Sequence, residues 1–145
     1  MTPMEQRKCQ TDNEKVLDEL LKASRILADE TYQVPPQIMW VDNSTIATLG
    51  NFSASTGKAK SRKTFNVSAI VAASLGNKQV LKYKACLPEG KRKILYIDTE
   101  QSRYHCHGVM RRILRLAGMQ QDVNAANLVF YLLMEYHPTM RLQLI

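Results

Sequence analysis

The sequence predicts an α/β domain: a mostly parallel sheet with flanking helices, preceded by an N-terminal helix. Three observations predict it. Ile94-Leu95-Tyr96-Ile97 and Leu128 to Met134 are continuous apolar runs, the pattern of parallel strands covered on both faces. Between them, Val109, Met110, Ile113, Leu114, Leu116 and Ala117 recur at helical spacing. A further segment, Phe65 to Leu75, is apolar on most sides, as the crossover helix of such a sheet is. Strands alternating with helices favour an open parallel sheet.

Residues 1 to 13 read as a tail. Thr11 and Glu14 have capping-box spacing. Val16, Leu17, Leu20, Leu21 and Leu27 then predict an amphipathic helix over 13 to 31, closed by Val34-Pro35-Pro36. Ile38 to Val41 is a short strand, and Asp42-Asn43-Ser44 a turn. Thr45 to Ser55 carries strand formers up to Gly57. The buried helix after the loop ends at Gly76. Gln79 to Ala85 alternates as one half-exposed strand, Pro88-Glu89-Gly90 is a turn, and Lys93 to Thr99 holds the first apolar run. The helix over 102 to 117 is closed by Gly118. After the second run, His137-Pro138 starts another helix. The domain division expected is 1–35 and 36–145.

Composition sets the class. Of 145 residues, 45% are hydrophobic and 23% charged, which excludes wholesale disorder. No apolar run reaches the ~18 residues of a membrane span, and the N-terminus lacks a signal-peptide core. Membrane partners are therefore not expected. Cys9, Cys86 and Cys106 are few and widely spaced, which suits a reducing cytoplasm. The net charge of +7 is uneven. Residues 1–50 hold five Lys/Arg and eight Asp/Glu (−3), whereas residues 51–145 hold fifteen and five (+10). The second part is either a surface for nucleotide or nucleic-acid phosphates or a solvated basic face.

The chemistry-bearing segment is Gly57-Lys58-Ala59-Lys60-Ser61-Arg62-Lys63-Thr64. The phosphate-loop pattern is G-x-x-x-x-G-K-[ST]: glycine for the tight turn, backbone N–H groups around phosphates, lysine on the β and γ phosphates, and a hydroxyl on Mg²⁺. Gly57, Lys63 and Thr64 match, while Arg62 stands at the second glycine. Lys58 and Lys60 add positive charge. A strand before the loop and a buried helix after it would supply the context the pattern needs.

Glu100 follows the strand ending Ile97-Asp98-Thr99. Ligands of open α/β sheets bind at the carboxyl ends of strands, where a carboxylate can orient attacking water. Gln101 could sense the phosphate. The plain alternative is a polar strand end leading into a helix. His105-Cys106-His107 does not suit a metal, because adjacent helical side chains diverge.

Together, Gly57 to Thr64, Leu95-Tyr96-Ile97-Asp98-Thr99-Glu100-Gln101-Ser102 and the Arg-rich segment Arg103 to Gly118 resemble the RecA-like P-loop ATPases. The nearest likeness is to the RepA-type hexameric helicase branch and its relatives in bacterial mobile elements. The resemblance covers roughly 36 to 145 and implies an incomplete RecA-like P-loop fold. It makes Glu100 and Lys63 catalytic, gives residues 57 to 64 the phosphates of ATP, and gives Thr64 the Mg²⁺. It implies a homo-oligomeric ring or filament that works on DNA. The Walker B strand of that family, an apolar run ending in Asp, has no counterpart after residue 128. The reading is therefore of an N-terminal portion of a longer ATPase, with an unpaired sheet edge. The rival reading is a DNA- or protein-binding module that does not hydrolyse ATP.

Overall fold

The structure, a computed structural model, describes the backbone of residues 3–58 and 60–145, and the side chains of these from residue 13 onward. The chain divides into two compact units, Met1–Val34 and Pro35–Ile145. The first unit holds helix α1, Pro3–Ala23. It begins and ends earlier than the 13 to 31 expected. Thr11 therefore lies inside the helix, and its side chain is outside the described residues. Ser24, whose hydroxyl bonds the Leu20 carbonyl at 2.6 Å, follows the last turn.

The second unit runs β1 (Gln37–Val41), β2 (Ser44–Thr48), α2 (Lys63–Gly76), β3 (Gln79–Val80), β4 (Tyr83–Ala85), β5 (Ile94–Asp98), α3 (Arg103–Ala117), β6 (Leu128–Leu132) and α4 (Pro138–Leu144). The expected mostly parallel, RecA-like sheet is not what forms. The strands make a four-stranded antiparallel sheet, β2-β1-β4-β3, and a separate parallel pair, β5-β6.

Turn chemistry explains the departure. Val41 pairs with Ser44, so Asp42-Asn43 is a two-residue hairpin loop, with Asp42 at φ 49°. A positive φ at that position matches the twist of the two strands. Val80 pairs with Tyr83 around Leu81-Lys82, with Leu81 at φ 55°. The segment 79–85, expected as one strand, is thus folded back on itself. β2 ends at Thr48, and no strand carries the chain from there into Gly57. The strand-before-loop context is therefore missing, while the helix after the loop is present.

α2 explains its own composition. It packs against β3 and β4 and also against α3. Ala69, Val71, Ala72, Ala73 and Leu75 are buried, and Ser68 is fully buried with its hydroxyl on the Thr64 carbonyl at 2.7 Å. A helix covered on two sides needs apolar residues on most of its circumference. α3 contributes Val109, Ile113, Leu114 and Ala117 to the same core, with Ile113 fully buried. Gly118 closes α3 at φ 73°, its N–H on the Arg115 carbonyl at 3.0 Å. That left-handed position suits glycine.

β5 and β6 run parallel on either side of α3 in the chain, in register from Ile94↔Leu128 to Asp98↔Leu132. Tyr96 and Phe130 stack at 4.3 Å between ring centroids, on the face turned to the core. The opposite face is open, against the expectation of strands covered on both sides. Leu95 is 55% exposed and Tyr131 53%. With Ile97, Leu133 and Ile145 they line an apolar hollow of about 490 Å³.

Candidate phosphate-binding site

The loop from Gly57 enters α2 at Lys63. Gly57 sits so close to the return of the loop that a Cβ would lie 2.5 Å from Ser61 Oγ. A larger residue there would require the Ser61 hydroxyl to shift, and Gly57 is not in the left-handed region, so the backbone itself does not demand glycine at this position. Lys58, Lys60, Ser61 and Arg62 are exposed, and Ala59 lies outside the described residues. The Ser61 N–H bonds the Lys58 carbonyl at 3.2 Å.

Arg62 precedes α2 in the left-handed region, φ 62° and ψ 24°. The general motif places glycine here. Arg62 adopts a conformation that glycine takes freely and that a side chain resists. Left-handed Arg62 followed by helical Lys63 has the alternating handedness of a nest, a backbone arrangement suited to anions. No side chain caps α2, and its first turn has no acidic residue. Its leading N–H groups and the positive end of its dipole are thus left for an anion.

Lys63 Nζ donates to the Gly57 carbonyl oxygen at 2.6 Å. The ammonium thus closes the loop on itself, and a phosphate would compete with that carbonyl for it. Lys63 and the half-buried Thr64 line a cleft with Tyr96, Asp98, Glu100 and Gln101. Its volume is about 210 Å³. Whole-ligand pockets are typically ~300–1,000 Å³, so this cleft is smaller than one that encloses a whole ligand. The site residues Lys63, Thr64 and Glu100 are thereby brought together from two distant segments. Lys58, Lys60 and Arg62 are not among its lining residues.

Asp98 is the member that sequence reasoning passed over. It is 6% exposed at the end of β5. Its Oδ1 accepts from the N–H groups of Glu100 at 3.0 Å and Gln101 at 2.8 Å, and its Oδ2 accepts from Gln101 Nε2 at 2.7 Å. A single carboxylate therefore shapes the turn that presents Glu100 and fixes the Gln101 side chain. An Asp two residues before the turn is the signal that could have found it, because Asp commonly bonds the backbone two residues on. Around Asp98, burial pushes the Tyr96 hydroxyl up from its ordinary pKa, and the Asp98 charge adds to it. Burial and then Asp98 do the same to the Cys106 thiol.

Among the described residues, no three His, Cys, Asp or Glu side chains cluster as metal ligands. Nor is any helix among them long and apolar enough to cross a membrane. Comparisons with protein-family models, curated proteins and solved structures returned no match.

Proposed function

We propose that Gly57 to Thr64 binds the phosphates of ATP with Mg²⁺. On this reading the chain is the ATP-binding part of a DNA-associated ATPase from a mobile genetic element, acting in replication or mobilisation. The observation that carries it is the cleft in which Lys63, Thr64 and Glu100 meet. Lys63 and the loop N–H groups would hold phosphate oxygens, and the Thr64 hydroxyl would hold the metal ion. Bound Mg²⁺ supplies neutralising charge at the phosphates. Glu100, exposed at the cleft, would orient water.

Kinship with the RecA-like ATPases rests on the two motifs and not on the sheet, whose antiparallel part departs from that group. The same kinship suggests homo-oligomeric assembly and a cytoplasmic setting. A second reading, a DNA- or protein-binding module whose loop binds phosphate without turnover, is favoured by the closure of Lys63 on Gly57 and by Arg62 in place of glycine. Measuring ATP hydrolysis and ATP binding together separates the two. The ATPase reading expects turnover that Glu100→Gln abolishes while binding persists. Binding without turnover in the unaltered chain would establish the second reading. Turnover unchanged by Lys63→Ala would sink the first.

A further inference from the structure

Beside the phosphate cleft lies a second hollow, of about 340 Å³, that shares Thr64 and Gln101 with it. Its outer wall is α3, with Tyr104, His107, Gly108 and Arg111. Tyr104 is 83% exposed, so it contributes nothing to the core. Its ring meets His105 edge-on at 5.5 Å, and His105 Nδ1 is in turn 2.8 Å from Ser102 Oγ. The aromatic is thus held by its neighbour while most of its surface stays open to solvent. A Cβ added at Gly108 would meet nothing within 4 Å, leaving free space beside the ring.

Tyr104, Gly108, Arg111 and Arg115 follow one another at spacings of four, three and four, which places them on one helical face. α3 contains four arginines and no Asp or Glu. Arg103 pairs with Glu135 at 3.6 Å. Among the described residues, Arg111, Arg112 and Arg115 have no ion-pair partner. Tyr104 to Arg115 covers eleven residues of rise, about 16 Å. That stripe is longer than one nucleotide and suits successive phosphates.

We infer that this face of α3 binds single-stranded nucleic acid, with a base stacked on Tyr104 and the backbone phosphates on Arg111 and Arg115. An open aromatic face beside unpaired guanidinium groups is the combination that holds unpaired strands. A duplex hides its base faces in its own stack, so the same surface discriminates against it. The inference rests on the DNA-association half of the proposed function and names the strand form and the surface.

The test is fluorescence anisotropy of a labelled oligothymidylate and of a duplex of equal length. The unaltered chain, Tyr104→Ala and Arg111→Ala are titrated, with binding of a fluorescent ATP analogue read on the same samples. Both side chains are exposed, and circular dichroism checks that the variants fold. The single strand is expected to bind more tightly than the duplex. Tyr104→Ala should weaken it about tenfold. Arg111→Ala should make the slope of log affinity against log salt shallower by about 0.7. Analogue binding should not change. Variants that bind the oligonucleotide like the unaltered chain overturn the inference, as does equal binding of duplex. Loss of the ATP analogue in Tyr104→Ala, with the oligonucleotide unaffected, also overturns it and makes the hollow the seat of the nucleotide's base. No oligonucleotide binding at all overturns both this inference and the DNA association, and leaves the ATP site standing.

Discussion

Replacing Arg62 with glycine tests the physical account of the loop. Arg62 holds φ 62° immediately before α2. A side chain in the left-handed region costs about 1–2 kcal/mol. Glycine removes that cost but loses about 0.5–1 kcal/mol through the greater freedom of the unfolded chain. Arg62→Gly should therefore stabilise the protein by a net ~0.5–1 kcal/mol. For a domain of about a hundred residues that raises Tm by about 2–4 °C. Arg62→Ala is the control, because it removes the charge and keeps the Cβ. Its Tm should stay close to that of the unaltered chain, since exposed charges contribute only tenths of a kcal/mol, up to about 1. Thermal unfolding by circular dichroism reads both. An equal rise in the two variants would show that backbone strain at Arg62 is not the cause. The relevant effect would then be repulsion among Lys58, Lys60, Arg62 and Lys63. A fall in Arg62→Gly would rule out that strain as well.

Other consequences are equally open to measurement. Asp98→Ala leaves three donors without their carboxylate and should cost about 2–3 kcal/mol in urea unfolding, whereas a loss under 0.5 would show that water replaces it freely. Ile113→Ala, at a fully buried position, should cost about 2–5 kcal/mol by the same method; near-neutrality would mean the core between α2 and α3 is loosely packed. Cys86 is exposed and Cys106 buried, so a thiol reagent should label Cys86 promptly and Cys106 only on unfolding; comparable rates would contradict the packing. Cys106 and Tyr96 keep their protons more tightly folded than unfolded. Their contribution to stability is complete below the ordinary thiol and phenol values, about 8.5 and 10, and is lost as pH rises through the raised values. Stability should fall on the alkaline side above about pH 8.5, less steeply in Cys106→Ala; an unchanged alkaline slope in that variant would remove the thiol from the account.

α3 was legible because its apolar residues recur at a period that no strand shares, whereas the bounds of α1 were not, since it spans Pro3–Ala23 and Val16, Leu17, Leu20 and Leu21 stay exposed. Val109, Ile113, Leu114 and Ala117 come out buried, as their spacing predicts. The parallel pairing of β5 and β6 was legible from two apolar runs separated by a helix. What covers an apolar element was not legible. Phe65 to Leu75 reads as a crossover helix, yet α2 meets antiparallel strands on one side and α3 on the other. Leu95 belongs to an apolar run and faces outward.

The antiparallel sheet escaped because it depends on turns. Asp42-Asn43 carries a turn signal, but Leu81 at φ 55° has none, and an alternating segment looks the same straight or folded in two. At the site, Lys63, Thr64 and Glu100 were named from pattern, and their meeting at one cleft is a fact of tertiary structure. Asp98 was hidden by its neighbour. A carboxylate that bonds its own turn leaves no distant partner for a pattern to find.

The loop is proposed to hold the phosphates of a nucleotide. The most direct test is equilibrium titration of a fluorescent ATP analogue with Mg²⁺ into the unaltered chain and Lys63→Ala. Saturable binding is expected, weakened about tenfold or more by the substitution, the scale of losing one charge-assisted contact. Equal affinity in the two, or no binding by an unaltered chain that circular dichroism shows to be folded, would contradict the proposed role of the loop.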